Sequence, residues 1–330
     1  MAHQAHTDII VNKAWPAAQS HGVLEKVETS YATPATPGQD PRLVQVIWGY
    51  LTAQAIDKLG PSLLVFSWFK LMMGVWGELT GKEINDPALK KNIAKNILHG
   101  VRYEQILKDW YQILYKKAML MLIETNTPDF VENMSITWVI SHPANYNEGQ
   151  RGTMKNAAQE AHKHEFPERT REKFRLVSEP EAAATITIAE SIMREKEKSP
   201  FRQGFSVMTV DLGGGTIDVK IYVVVRTVPL RLRDACTGSA GWIGATSIYR
   251  AFIADCTDEF ELAFTSLPPS RSAPGSELCR AFEEKMKGFT GNDDEEVFKI
   301  PLVAMMQSFK DSGCKSDRYD TKEGVIKVSK

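Results

Sequence analysis

The 330-residue sequence predicts an α/β protein in two lobes, on three observations. Two β-rich runs within Ser206 to Val225 meet at Gly213, Gly214 and Gly215, the pattern of a hairpin. A strand-like run from Ile136 passes through a turn at Pro143 into a helix capped by Asn147, with Gln150 at the capping-box position. The segment Leu176-Val-Ser-Glu-Pro-Glu-Ala-Ala-Ala reads as a second helix start, with Ser178 as N-cap, Pro180 in the first turn and Glu181 three residues past the cap.

The elements follow in order. Residues up to about Gln45 are rich in Pro, Thr, Ala and Gln and predict irregular strands or loops, Tyr31 to Pro41 being the clearest loop. Leu63 to Trp76 is the most apolar stretch, but Ser67, Lys70 and Gly74 interrupt it, so it reads as packed helix rather than membrane contact. Asp86 and Pro87 start a helix that should stop near Gly100. A second begins near Tyr103 and carries Ile106, Leu107, Trp110, Ile113, Leu114, Leu120 and Ile123 at helical spacing, a core stripe rather than a cofactor box. Together they predict a helical subdomain at about 86–124. The alternating charges of Met193 to Lys198, then Pro200 and Gly204, mark a boundary. Lobe I is thus expected at 1–196, with a crossing helix from residue 180, and lobe II at 197–330. In lobe II a loop from Pro268 to Ser276 precedes a helix from Glu277 to Phe289, and Asn292 to Glu296 reads as a solvated acidic turn.

The triglycine hairpin carries the chemistry. Without Cβ atoms, three glycines can reach positive φ and turn their N–H groups toward an anion. Asp211, at the end of the first run, can hold a hydrated Mg²⁺, a hard ion that keeps most of its waters. Thr216 could orient water or a phosphate oxygen. A hairpin with no ligand is the alternative, although a tight turn needs only one or two glycines. Glu179 is fixed at the mouth of the second helix; that it merely favours the helix dipole is the alternative there.

Taken in order, His142-Pro-Ala-Asn-Tyr-Asn-Glu-Gly-Gln-Arg151, Ser178-Glu-Pro-Glu-Ala-Ala-Ala184 and Asp211-Leu-Gly-Gly-Gly-Thr-Ile-Asp218 resemble the nucleotide-binding domain of the seventy-kilodalton heat-shock chaperone family. Its divergent branch fits better than the heat-shock chaperones proper. The family belongs to the actin, sugar-kinase and chaperone ATPase superfamily, so the resemblance implies the actin-like (ribonuclease H-like) two-lobe fold. It is strongest from about Ser135 to Val225. Weaker likenesses lie at Val46–Ala55, Phe66–Gly74, Gly238–Ala245 and Phe282–Phe289.

The resemblance implies ATP or ADP with Mg²⁺ in an interlobe cleft. Asp211 would hold the metal's water shell and Glu179 would complete it through water. Gly213, Gly214, Gly215 and Gly244 would meet the nucleotide, and Thr216 would sit by the transferred phosphate. Glu283 would reach the ribose, Lys287 would cover the adenine, and Lys70 is the nearest candidate for the catalytic lysine. Two features of the family are missing: its N-terminal Asp-x-Gly-Thr phosphate loop and its C-terminal adenosine loop. The expected fold is therefore incomplete at both ends. Losing one of two opposed hairpins removes roughly half the phosphate donors and opens the cleft to water, so hydrolysis should be weak or absent. The other readings are a catalytically inactive interaction module or fragment of this fold, and a small-molecule kinase of the same superfamily.

Composition narrows the field. Forty basic and forty-one acidic residues leave a net charge of −1, which signals no basic face for nucleic acid. Cys236, Cys256, Cys279 and Cys314 are too far apart for a Cys-x-x-Cys zinc pair and favour reduced thiols. His162 and His164 read as surface residues rather than metal ligands. No secretory signal or membrane span is recognisable. The expected setting is cytoplasmic, with nucleotide, and protein partners or co-chaperones, as ligands.

Overall fold

The computed structural model describes residues 30–34, 47, 48, 52, 55, 63–67, 69, 73, 100–241, 244–272, 276–288 and 297–329. It is a mixed α/β chain with parallel and antiparallel sheets, in two compact units: Met1–Ser67 with Tyr249–Lys330, and Trp68–Ile248. The expected lobe boundary at 196/197 falls inside the second unit, and Glu179 and Asp211 both belong to it.

The N-terminal part of the first unit is an antiparallel sheet in the order β2 (Ile47–Trp48), β1 (Ser30–Pro34), β3 (Leu63–Ser67). Here two expectations are corrected. Residues 31–34, expected in a loop, form the central strand, and residues 63–67, expected to be helical, pair with it from Ser30↔Ser67 to Pro34↔Leu63. Short apolar runs do not distinguish strand from helix by periodicity; here the extended form pairs with β1 and sets Val65 against the fully buried Ala32. The helix expected from Asp86, and the acidic turn at 292–296, lie outside the described residues.

Among the described residues of the second unit, α1 (Tyr103–Thr125) is followed by α2 (Pro128–Asn133) under a Thr127 cap. Then comes a β-α-β crossover: β4 (Thr137–His142), α3 (Glu148–Glu165) and β5 (Lys173–Ser178), the strands parallel from Thr137↔Lys173 to His142↔Ser178. Alternation puts Trp138, Ile140, Phe174 and Leu176 on the more covered face, while α1 lays Tyr103, Ile106, Leu107, Trp110 and Tyr111 toward the small side chains Ala157, Ala158 and Ala161 of α3. The Asn147–Gln150 capping box forms in both directions, at 2.9 Å and 2.8 Å.

Directly after β5, Ser178 caps α4 (Glu179–Glu195) through the Glu181 N–H at 3.4 Å, with Pro180 in the first turn. A 3₁₀ turn, Lys196–Lys198, leads on to β6 (Ser206–Leu212), β7 (Ile217–Thr227), β8 (Leu230–Asp234) and β9 (Ser239–Gly241), an antiparallel sheet in which β8 and β9 both pair with β7. One face packs on α4, where Ala184 and Ile188 bury against Tyr222 and Val224.

Helix α5 (Ala245–Phe260) starts in the second unit, and from its Tyr249 the rest of the first unit runs through α6 (Leu262–Thr265), α7 (Pro269–Ser272), α8 (Glu277–Lys287) and β10 (Phe298–Pro301) to α9 (Met305–Ser312), β11 (Tyr319–Asp320) and β12 (Val325–Val328). Its core is aromatic: Tyr249, Phe252, Cys256 and Phe260 recur along one side of α5, and Phe252 stacks on Phe282 at 4.5 Å. Among the described residues, no helix is long and apolar enough to cross a membrane.

Candidate functional site at the triglycine bend

The bend between β6 and β7 is closed by the Gly213 N–H donating to the Thr216 carbonyl at 2.9 Å. Its carbonyls are held from the other side, by the start of α5. The Ala245 N–H donates to Gly213 O at 3.1 Å, and the Thr246 N–H and hydroxyl donate to Gly214 O at 2.8 and 2.7 Å. Gly244 makes this approach feasible, since a Cβ there would lie 2.5 Å from the carbonyl carbon and oxygen of Gly214. With its carbonyls fixed, the bend keeps the Gly214 and Gly215 N–H groups without an acceptor among the described residues. Gly214 is exposed and Gly215 half-buried.

Positive φ, expected of the three glycines, does not occur in them; among described glycines it is confined to Gly100, Gly204, Gly313 and Gly324. At Gly213 the lack of a side chain serves close packing instead. A Cβ on Gly213 would lie 3.1 Å from the Thr216 carbonyl. The free donors therefore come from a bend of ordinary φ.

Thr216 turns inward. It is 3% exposed, and its hydroxyl donates to Asp218 Oδ2 at 2.8 Å. Asp218, fully buried, also accepts the Ala144 N–H on Oδ1 at 2.7 Å, tying the hairpin to the loop between β4 and α3. Asp211 lies directly across from Asp218 in the β6–β7 register, so both carboxylates point to the same face. Two donors on Asp218 ease the repulsion that such a pair would otherwise carry. Asp218 was not among the residues singled out from the sequence. Its signal was there: in a strand, a carboxylate seven residues beyond Asp211 across a four-residue bend faces the same way.

Glu179, half-buried, begins α4 one residue after the strand end. It and Asp218 both act on the phenol of Tyr146: burial first, then the Glu179 charge, with smaller effects from Tyr111 and Asp218, push that group far above the ordinary phenol value. The start of α4 and the interior of the hairpin thus converge on one buried tyrosine of the His142–Asn147 loop. His142 itself is buried, its Nδ1 2.7 Å from the Pro143 carbonyl.

The expected adenosine residues belong to the first unit. Glu283 and Lys287 are exposed on α8 of the other unit, where Glu283 accepts from the Cys279 thiol at 3.7 Å. Lys70 lies outside the described residues. Cavities open among the described residues of the second unit. One, of about 480 Å³, is lined by His142, Ala144, Arg151, Lys155, Ser178, Glu181 and Lys220, with Lys220 paired to Asp234 at 2.8 Å. Another, of about 690 Å³, lies beside Arg169, whose guanidinium donates to the Val131, Glu132 and Met134 carbonyls at the end of α2. Neither contains a glycine of the bend, Asp211 or Glu179.

His162, expected at the surface, is a correction. It is 4% exposed, ringed by Tyr115, Trp138, Phe166 and Phe174, because α3 turns it toward β4 and β5. Its Nε2 lies 2.9 Å from Glu172 Oε2 but off the line of a hydrogen bond, and Glu172 is already engaged by Arg169 Nε and Trp138 Nε1. Burial lowers the imidazole below its ordinary 6.5, outweighing the opposite pull of Glu172, and the Arg169 charge adds to the lowering.

No protein-family model matches the chain, and no curated protein matches its sequence. Among solved structures it is similar to MreB 5 of Spiroplasma citri bound to AMPPNP, at 13% identity and a TM-score of 0.38 over 86% of this chain; the chain spans 62% of that protein's length.

Proposed function

We propose that the Trp68–Ile248 unit belongs to a chaperone-like, actin-like ATPase domain and binds the phosphates of ATP or ADP at the triglycine bend with Mg²⁺, hydrolysing them weakly or not at all. The observation that carries this reading is the pair of Gly214 and Gly215 N–H groups left without acceptors at an accessible bend beside Asp211. The ordered motifs of the sequence support it further. Mg²⁺ fits this donor set. Among the described residues no cluster of three or more His, Cys, Asp or Glu side chains could hold a metal, but this ion needs only one or two carboxylates when phosphates and water supply the rest. Asp211 would hold the ion's water shell and Glu179 would complete it, also through water; the bound metal would supply charge neutralisation of the phosphates.

Thr216 supports weak turnover: its one O–H is donated to Asp218, so it has no proton to give a phosphate oxygen, which favours binding over hydrolysis.

Thermal melting with MgATP tests the reading. At 100 times the dissociation constant, binding stabilises the native state by about 2.7 kcal/mol, a rise of several degrees for a chain of this size. Asp211→Asn and Gly214→Val should each remove the rise. The Gly214 site has room, its nearest neighbour being Thr246 Cγ2 at 3.9 Å from an added Cβ. A rise that survives both substitutions places the nucleotide elsewhere; no rise at millimolar MgATP favours the interaction module.

A further inference from the structure

The four-stranded sheet of the second unit treats its outer strands β6 and β8 differently. β8 carries Arg231, Arg233 and Asp234, charges of the kind that keep an edge from pairing with another chain. The sequence of β6, Ser-Val-Met-Thr-Val-Asp-Leu, has no lysine, arginine or proline, and among the described residues it pairs only with β7.

The hydrogen-bond phase of β6 fixes which groups are unpaired. Gly213 N–H bonds Thr216 O and Val224 N–H bonds Phe205 O, so in the continuous register between them residues 205, 207, 209, 211 and 213 bond to β7. The N–H and C=O groups of Ser206, Met208, Val210 and Leu212 therefore point out of the open edge. The side chains of the same residues lie on the face opposite α4, where Met208 is 62%, Val210 46% and Leu212 71% exposed, and Ile221, Val219 and Ile217 stand across from them.

We propose that this edge is a self-association surface, on which β6 of a second copy of this chain pairs antiparallel about a two-fold axis at Thr209. The strand is complementary to itself in that register. Met208 meets Val210 of the other copy, Ser206 meets Leu212, and each of these pairs has both backbone donors and both acceptors facing the partner. Thr209 meets Thr209 in the closer, non-bonded spacing. Charge selects the direction: antiparallel pairing sets Asp211 opposite Val207, whereas parallel in-register pairing would set Asp211 beside Asp211, which is unfavourable. Backbone bonds supply the affinity, as in other strand-addition interfaces. A two-fold contact of this kind closes at the dimer.

Mass measurement by light scattering and sedimentation tests this on the full chain. The wild type should be a dimer at micromolar concentration. Val210→Pro removes one outward N–H and no bond to β7, and Val210→Lys puts an ammonium into the apolar pair; each should weaken the dimer at least about ten-fold while circular dichroism stays unchanged. In a Cys236→Ser background, which removes an exposed thiol, Thr209→Cys should form an intermolecular disulfide across the axis, and Ser206→Cys should not. A wild-type monomer, a dimer that both Val210 substitutions leave intact, or cross-linking equal at 206 and 209 would overturn the proposal. Nucleotide is absent from every arm, so the result is separate from that of the binding reading.

Discussion

Replacing Gly244 by alanine should open the triglycine bend and destabilise the second unit. The added Cβ would stand 2.5 Å from Gly214 C and O and 2.7 Å from Gly213 O, all backbone atoms that no rotamer change can move aside. Relief requires the bend and the start of α5 to separate, and three hydrogen bonds cross that seam: Ala245 N–H to Gly213 O, and the Thr246 N–H and hydroxyl to Gly214 O. Each contributes about 1 kcal/mol, and forcing a methyl into a packed contact costs about 1–3 kcal/mol. If the bonds lengthen without all being lost, the sum is about 3 kcal/mol, equivalent to about 6–12 °C in melting temperature for a unit of this size. Differential scanning calorimetry of Gly244→Ala against wild type measures it. Gly214→Ala is the control: the φ is ordinary and the nearest atom to its Cβ is 3.9 Å away, so melting should hold or rise slightly. A Gly244→Ala protein as stable as wild type would refute the claim that the glycine is there to let two backbones touch.

Other outcomes follow from the same geometry. Asp218→Ala strands the Thr216 hydroxyl and the Ala144 N–H in a buried place and should cost about 3–5 kcal/mol; Thr216→Val alone should cost about 1 kcal/mol, and chemical denaturation of the double variant should show less than the sum, because the two share one bond. His162 gives the unit a pH dependence. Its folded value lies below the unfolded 6.5, so the unfolded chain binds the extra proton first, and stability that is full above pH 6.5 falls as pH drops through that value toward the folded one. Urea midpoints at pH 7.5 and 5.5 should differ less in His162→Phe than in wild type; an equal difference would assign the acid sensitivity to other groups. Asp211→Asn should abolish the MgATP melting shift without lowering the melting temperature of the ligand-free protein by more than a degree or two, since its side chain is half-buried and no bond to it is shared with the Asp218 network.

What was legible in the chain is what is decided locally. Asn147 with Gln150, and Ser178 with Pro180 and Glu181, are helix starts written within four residues, and both caps form where the sequence sets them. The hairpin was readable for the same reason, two β-rich runs around glycines. Its internal geometry was not. Glycine reports which backbone angles are allowed, not which are used, and the use here was set by Gly244, some thirty residues away. The partner of Asp218 is still more remote, a backbone N–H 74 residues upstream, and nothing around Ala144 announces it. His162 reads as a surface residue because His164, two positions on, falls on a different helix face and rules out a shared metal, whereas the burial comes from the aromatic residues of α1, β4 and β5. At 63–67 a five-residue apolar run had no period long enough to choose between strand and helix.

The alternation of β6 separates the two activities proposed for it. Val207, Thr209 and Asp211 bond to β7 and turn their side chains to the face that holds Asp218, Tyr222 and α4; Met208, Val210 and Leu212 direct backbone and side chain away from it. Adjacent residues should therefore give orthogonal phenotypes. Asp211→Asn should lose the nucleotide effect and keep the dimer, and Val210→Lys should lose the dimer and keep the nucleotide effect. A strand slipped by one position would exchange the two faces and invert both outcomes, so the pair of substitutions tests the register of the hairpin as well as the functions assigned to it.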